Sequence, residues 1–329
     1  MSVRNGVENG LLLIRMSAMG DILHALPVAT SLKKSFPQSS LTWLVAPRWM
    51  PLLEGNPHVD RMLLFDRSSF SSLRESWNRV RFLQVQTAFD LQGLLQSAVI
   101  GRAAKPVRFY GFDKSIAREP VAASLYTHRV PVRGPHRIER NLQLIESYGA
   151  RELTTESWIP EGRPEGKLPS GNFVLTSPFA GWPGKEWPLE SYDRLADILL
   201  GEGLELVANV PASRAEELAG LQNIRVHVSS LPGLIWATRR ALAVVGLDSG
   251  PVHLAAALRK PGVALYGPTD PACTGPFGGS MTVLRTKNVE TTYKRHEEIH
   301  PSMKAIGVEA VAEALLHSIA RSELPVSRL

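Results

Sequence analysis

Short apolar runs of four or five residues alternate along the chain with longer stretches in which apolar positions recur every three or four residues. The first run, residues 11–14, leads through Ser17-Ala18-Met19-Gly20 into an amphipathic stretch over 21–36. Ile22, Leu23, Leu26, Ala29 and Leu32 fall there at helical spacing, and Pro37 supplies a stop. Residues 41–45 and 62–65 read as the next strands, 71–87 as a helix, 88–91 as a strand, and 94–103 as its following helix. Such alternation predicts βαβ units and a parallel sheet.

Periodicity vanishes over 154–171, where Pro160, Gly162, Pro164, Gly166, Pro169 and Gly171 crowd together as in a linker. Alternation then resumes. Strands are predicted at 173–176, 204–207, 225–228, 243–247 and 263–266, with helical stretches at 189–200, 212–220, 231–240, 251–258 and 308–319. The expected fold is α/β, with two doubly wound parallel-sheet domains at 1–160 and 172–329 joined by a linker at 161–171. A cleft between the two is the expected binding site. The closing helix is a candidate to pack back on the first domain.

Composition narrows the class. With 44% hydrophobic and 21% charged residues and a mean hydropathy of −0.06, the chain is neither disordered nor low in complexity. No apolar run approaches the roughly 20 residues that span a bilayer, and the polar start lacks a secretory signal. A single cysteine, Cys273, forms no internal disulfide, so a reducing cytoplasm is expected.

The net charge of +6 is unevenly placed. Residues 1–165 hold 21 Lys/Arg against 15 Asp/Glu, whereas 166–329 hold 16 of each. The first half is therefore expected to meet something anionic: a phosphate-bearing substrate, a membrane surface or nucleic acid. Nucleic acid fits least, because the basic stretch carries no recognition motif or aromatic stacking platform. Also missing are G-x-G-x-x-G after a strand, a Walker A motif, any D-x-D, H-E-x-x-H and paired C-x-x-C. No metal is expected.

Two loop-to-helix junctions carry the candidate chemistry. At Ser17-Ala18-Met19-Gly20-Asp21, the acid sits where a helix N-terminus favours a carboxylate, on the sheet edge where open α/β folds bind ligands. At Asp248-Ser249-Gly250-Pro251-Val252-His253, a helix begins directly after a buried strand, with proline in its first turn. Free amides at Ser249, Gly250 and Val252 form a nest for an anion such as a diphosphate. Helix capping alone also accounts for Asp21, Asp248 and Ser249, and a histidine placed like His253 is, taken alone, more often a satisfied core residue. Two more loops point to the same edge: Thr176-Ser177-Pro178 with Lys185-Glu186-Trp187-Pro188, and Tyr266-Gly267-Pro268-Thr269-Asp270-Pro271. Lys185 offers a positive charge to a phosphate leaving group.

These motifs, with Asp90-Leu91-Gln92-Gly93-Leu94, resemble the lipopolysaccharide heptosyltransferases of glycosyltransferase family 9 from residue 11 to about 307. Ala117-Arg118-Glu119-Pro120 looks most like the type I enzymes, which add the first heptose to Kdo-lipid A. The resemblance implies a GT-B fold of two facing Rossmann-like domains and inverting, metal-independent transfer from ADP-heptose, with no cofactor. Asp21 matches the catalytic carboxylate, and Lys185 the donor-phosphate lysine. Ser249, Gly250 and His253 match the diphosphate-binding helix start and Asp248 the acidic position beside the donor, with Thr176, Ser177 and Pro251 also implied in donor binding; Ser17, Ala18 and Gly20 lie near the transferred sugar. Arg118 is placed at the anionic acceptor, joined by Arg102 and Arg108 from the basic stretch, with further contacts expected in 61–81. The implied setting is the cytoplasmic face of the inner membrane, as a peripheral protein without a transmembrane segment. Other readings are a type II enzyme or another acceptor, a sugar-nucleotide 2-epimerase, and a non-enzymatic nucleotide-diphosphate module docked through its basic half.

Overall fold

A computed structural model describes residues 10–295 and 297–323, and among these the chain divides into two units, one ending at Pro160 and the other beginning at Glu161. The first unit holds β1 (Gly10–Ile14), α1 (Met19–Leu23), α2 (Leu26–Ser35), β2 (Ser40–Val45), β3 (Arg61–Leu64), α3 (Phe70–Arg81), β4 (Thr87–Asp90), α4 (Leu95–Ala103), β5 (Arg108–Phe112), β6 (His128–Val130) and α5 (Arg137–Glu146). Its six strands are parallel in the order β3-β2-β1-β4-β5-β6, with Leu12 between Thr42 and Ala88. Strand order therefore reverses between β1 and β4, and the crevice for a ligand opens at the carboxyl ends of those two strands. Both of the unit's named motifs, after Ile14 and after Asp90, stand there.

The second unit holds β7 (Phe173–Thr176), α6 (Leu189–Gly201), β8 (Glu205–Val210), β9 (Ile224–Val228), α7 (Leu231–Arg240), β10 (Ala243–Leu247), α8 (Gly250–Ala257), β11 (Gly262–Tyr266), α9 (Pro271–Thr274), β12 (Met281–Arg285), α10 (Pro301–Lys304) and α11 (Val308–Glu323). The parallel order β12-β11-β10-β7-β8-β9 repeats the first unit's topology, with the reversal between β7 and β10. Each unit is thus a Rossmann-like doubly wound α/β unit. α11 belongs to the second unit's own core: Val311, Leu315 and Ile319 cluster with Leu195 of α6, Val245 of β10 and Leu265 of β11.

The single helix expected over 21–36 is two helices. Pro27 falls in the first turn of α2, where its missing N–H costs nothing, and the chain turns at His24-Ala25 to restart there. The helix expected over 71–87 stops at Arg81, and that at 212–220 is a 3₁₀ run over Ala212–Leu218. β5, β6, α5 and β12 have no counterpart in the sequence reading.

Asp90 holds the first unit's crevice in shape. It is fully buried at the end of β4; Oδ1 accepts from the amides of Gln92 (2.8 Å) and Gly93 (3.3 Å), and Oδ2 from Ser97 Oγ (2.7 Å) and Tyr126 Oη (2.8 Å). Gly111 makes the last bond feasible, because a Cβ there would lie 2.3 Å from the Tyr126 ring. Burial pushes the Asp90 carboxyl above its ordinary pKa against these donors, and burial beside Asp90 raises the Tyr126 phenol. Asp90→Ala strands several buried donors at once and is expected to cost roughly 2–5 kcal/mol, read from the urea midpoint.

Candidate active site

The apolar run of β1 ends at Ile14, yet Arg15 stays 7% exposed. A buried guanidinium needs partners, and it has them. Arg15 donates to the Leu91 carbonyl and pairs with an Asp21 carboxylate oxygen at 2.5 Å, while its own carbonyl accepts from Trp43 Nε1 at 3.1 Å. Asp21 lies in the first turn of α1, and the Ala18 amide donates to its Oδ2 at 3.3 Å. Its other oxygen, Oδ1, pairs with Arg137, the first residue of α5. Burial works to raise the Asp21 pKa, but the charges of Arg15 and Arg137 outweigh it and hold the carboxyl well below the usual carboxylate range. Asp21 is an anion at every working pH.

The neighbouring loop completes this edge. Gln92 Oε1 accepts from the Met16 amide at 3.0 Å, tying the ends of β1 and β4 together. Gly93 turns the chain with φ +65°, and a Cβ there would sit 3.2 Å from the Arg118 amide. This close approach places the loop carrying Arg118 on the same carboxyl edge as Asp21, with Arg118 exposed. Ser17 and Gly20 are partly open beside Asp21, Ala18 is exposed, and the Ser17–Ala18 peptide bond is cis.

The second unit builds its edge from the loops after β7, β10 and β11. Thr176 is fully buried at the end of β7, paired with Val245 of β10, so the loops that begin at Ser177 and Asp248 leave neighbouring strands at the same carboxyl edge. α8 starts at Gly250 with Ser249 as its N-cap, but the Ser249 hydroxyl does not cap the helix and, though buried, has no hydrogen-bond partner among the described residues. The Ser249 amide is not available to a ligand, because it donates to the Leu247 carbonyl at 2.6 Å. The nest is therefore narrower than the three amides expected. Gly250 and Val252, in the first turn of α8, keep amides with no acceptor inside the helix.

Lys185 closes a 3₁₀ turn, Pro183–Lys185, and brings its ammonium to Asp248: Nζ lies 2.5 Å from Oδ2 and 3.2 Å from the carbonyl oxygen. Asp248 Oδ1 also accepts from Thr274 Oγ1 at 3.4 Å and lies 3.7 Å from His253 Nε2. Burial opposes the charge on Asp248, but the His253 hydrogen bond and the Lys185 charge prevail, leaving its pKa far below the ordinary range. Asp248 thus fixes a lysine and a histidine at the start of α8, where the helix dipole already favours an anion. Asp270 serves the adjacent turn, accepting from the Ala272 amide at 2.9 Å to cap α9.

Of the residues named from sequence, the first unit gathers Ser17, Ala18, Gly20, Asp21 and Arg118 on one edge. The second gathers Thr176, Ser177, Lys185, Asp248, Ser249, Gly250, Pro251 and His253 on one edge. Arg108 and Arg102 fall elsewhere. Arg108 opens β5 and Arg102 lies in the last turn of α4, so both stand at the amino edge of the parallel sheet, opposite Asp21. Two residues of the Asp21 cluster were missed, Arg15 and Arg137. Arg15 has a legible signal, a charge continuing a buried strand; Arg137, 116 residues from its partner, has none. Among the described residues, no group of three or more His, Cys, Asp or Glu side chains is gathered to hold a metal.

Comparison with known proteins gives the family of the chain. The sequence profile of glycosyltransferase family 9 (heptosyltransferase) matches residues 73–303. Lipopolysaccharide heptosyltransferase 1 of Pseudomonas aeruginosa is 30% identical over 294 residues, covering 83% of each chain. The enzyme of the same name from Escherichia coli K12 is 28% identical over 300 residues, covering 84% of this chain and 93% of that one. Among solved structures, E. coli ADP-heptose LPS heptosyltransferase II superposes with a TM-score of 0.79 at 24% identity, over 96% of this chain and 100% of that one. E. coli heptosyltransferase WaaC with ADP gives 0.76 at 24% identity, over 94% and 99%. The chain therefore belongs to glycosyltransferase family 9 and is a heptosyltransferase-family glycosyltransferase.

Proposed function

We propose that the chain moves a heptose from ADP-heptose to the Kdo region of the lipopolysaccharide inner core, as a type I heptosyltransferase with Asp21 as general base. The observation that carries this reading is an ionised, nearly buried carboxylate at the switch point of one unit, matched by a lysine–aspartate–histidine cluster at the helix start of the other. The donor diphosphate sits on the amides of Gly250 and Val252, with the Ser249 hydroxyl and Lys185 beside it. An acceptor hydroxyl attacks the anomeric carbon as the bond to the phosphate oxygen breaks. Asp21 takes the hydroxyl proton, the electron pair leaves with ADP, and Lys185 offsets the charge that builds there. One displacement with no covalent intermediate inverts the anomeric centre. Type I is favoured by the 30% relative of that name.

The arginine pair on Asp21 bears on its strength as a base. A general base works best with a pKa near the working pH, and two guanidinium groups hold Asp21 far below that. The two are not equivalent: Arg15 is 8% exposed at its side chain, Arg137 41%. Arg15 is the fixed partner. Arg137, together with Arg118, is placed to turn to the acid groups of a Kdo-type acceptor, and its departure strengthens the base at the moment the acceptor arrives. Arg137→Ala removes a positive neighbour, so the Asp21 pKa rises; because the deprotonated form is active, the acid limb of the kcat profile is expected to move to higher pH, while KM for the acceptor rises.

The acceptor is lipid-borne, so the reaction is placed at the cytoplasmic membrane face; no helix among the described residues is long and apolar enough to cross a membrane. The test is a transfer assay with ADP-heptose and two acceptors, Kdo-lipid A with and without its first heptose. The expected result is ADP release that requires the unheptosylated acceptor. Preference for the heptosylated acceptor overturns the type I reading, and a product formed from donor alone overturns transfer.

A further inference from the structure

A groove of about 620 Å³ runs between α3 and α4, on the same unit as the Asp21 cluster but lined by none of that cluster's residues. Its walls are Phe70, Leu73 and Trp77, at helical spacing along α3, facing Leu95 and Val99 of α4, over a floor that includes the buried Phe65. Phe70 is 83% exposed, and Leu73, Leu95 and Val99 are each about two-fifths exposed, at 38–41%. Phe82, just past the other end of α3, is 84% exposed. Large apolar side chains left open to water together around one groove offer a place for something apolar to dock.

The surrounding charge says what that is. Residues 61–82 contain five arginines against two acids, and Arg67, Arg74, Arg79 and Arg81 are all exposed. Arg79 is paired with Glu75 and Arg67 donates to Gln96 at 2.6 Å, whereas Arg74 and Arg81 have no carboxylate partner among the described residues. An apolar stripe with aromatic residues, bordered by unpaired cations, matches the interface of an anionic bilayer: apolar side chains enter the acyl boundary while arginines meet the headgroups. A second copy of the chain fits poorly, because a two-fold contact would set the same arginines against one another. The groove is also correctly placed. α3 and α4 both start at the carboxyl edge of the sheet, and the amide of Leu95 at the groove mouth donates to Glu119 Oε2 at 2.7 Å, beside Arg118 on the Asp21 edge.

We propose that the α3–α4 groove is the membrane-docking site of the chain, taking acyl-chain segments of an anionic lipid bilayer while the flanking arginines hold its headgroups. The assignment rests on the proposed function only for the lipid nature of the acceptor. It is tested by flotation of the full chain with phosphatidylglycerol–phosphatidylethanolamine vesicles and with phosphatidylcholine vesicles, without donor or acceptor. Wild type is expected to float with the anionic vesicles, with binding weakened by salt, and not with the neutral ones. Phe70→Glu/Leu73→Glu is expected to lose binding by about tenfold or more, and Phe70→Ser and Arg74→Ala/Arg81→Ala to lose part of it. All three variants are expected to keep the wild-type melting curve and ADP affinity, because the residues proposed to hold the diphosphate lie in the second unit. Equal binding to neutral vesicles, no binding to anionic ones, or full binding by the folded double-glutamate variant overturns the groove. So does a wild-type dimer in solution that the same variant dissociates. Vesicle binding with no transfer to either Kdo-lipid A acceptor leaves the groove standing and overturns the proposed reaction instead.

Discussion

Asp21→Asn is expected to lower kcat by at least 10²- to 10⁴-fold, the usual worth of a positioned general base. The amide keeps the shape of the side chain but neither carries the charge nor accepts the acceptor's proton. The substitution has a second effect. Arg15 is buried and loses the carboxylate that compensates it, and breaking such a pair costs about 3–5 kcal/mol. The kinetic comparison therefore belongs at low temperature, beside a melting curve that shows the variant folded. ADP affinity, measured by titration calorimetry, is expected to stay near wild type, because the residues proposed to hold the diphosphate all belong to the second unit. Loss of turnover with ADP binding intact separates a missing base from a damaged protein.

The second large effect is at Lys185. Its ammonium is held by Asp248 beside the start of α8, and in the proposed reaction the negative charge on the leaving diphosphate is greatest in the transition state. Lys185→Ala is expected to lower kcat by about 10²- to 10³-fold while raising donor KM much less, the pattern of an interaction made mainly in the transition state. Asp248 tempers the prediction, because removing Lys185 leaves a buried carboxylate held by His253 and Thr274 alone. Lys185→Met keeps the apolar stem and isolates the loss of charge. A rise in KM with unchanged kcat in both variants would make Lys185 a ground-state binding residue.

How far these residues were legible in the sequence follows from how local their determinants are. The buried strands β1, β7, β10 and β11 are continuous apolar runs bounded by turns, so both Rossmann-like units could be read directly. β6 is three residues with only Val130 buried, and β12 is an edge strand half open to water, so neither has a pattern to detect. The break between α1 and α2 was signalled by Pro27, but the apolar spacing runs through it and hides the restart. The same division holds at the site. Asp21, Lys185 and the Asp248–His253 segment lie in local motifs at strand ends. Ion pairing across the fold is invisible in a linear pattern, which is why Arg137 was missed and why Arg102 and Arg108, basic but at the amino edge, were included.

The central claim is that Asp21 receives the proton of the attacking hydroxyl while α8 and Lys185 hold the departing diphosphate. A crystal structure of the chain with an unreactive ADP-heptose analogue and acceptor tests this most directly. The account predicts the diphosphate on the amides of Gly250 and Val252, and an Asp21 carboxylate oxygen about 2.6–3.2 Å from an acceptor hydroxyl that itself lies about 3–3.5 Å from the anomeric carbon. A diphosphate bound away from α8, or an Asp21 still locked between Arg15 and Arg137 with the reacting hydroxyl out of its reach, would contradict it.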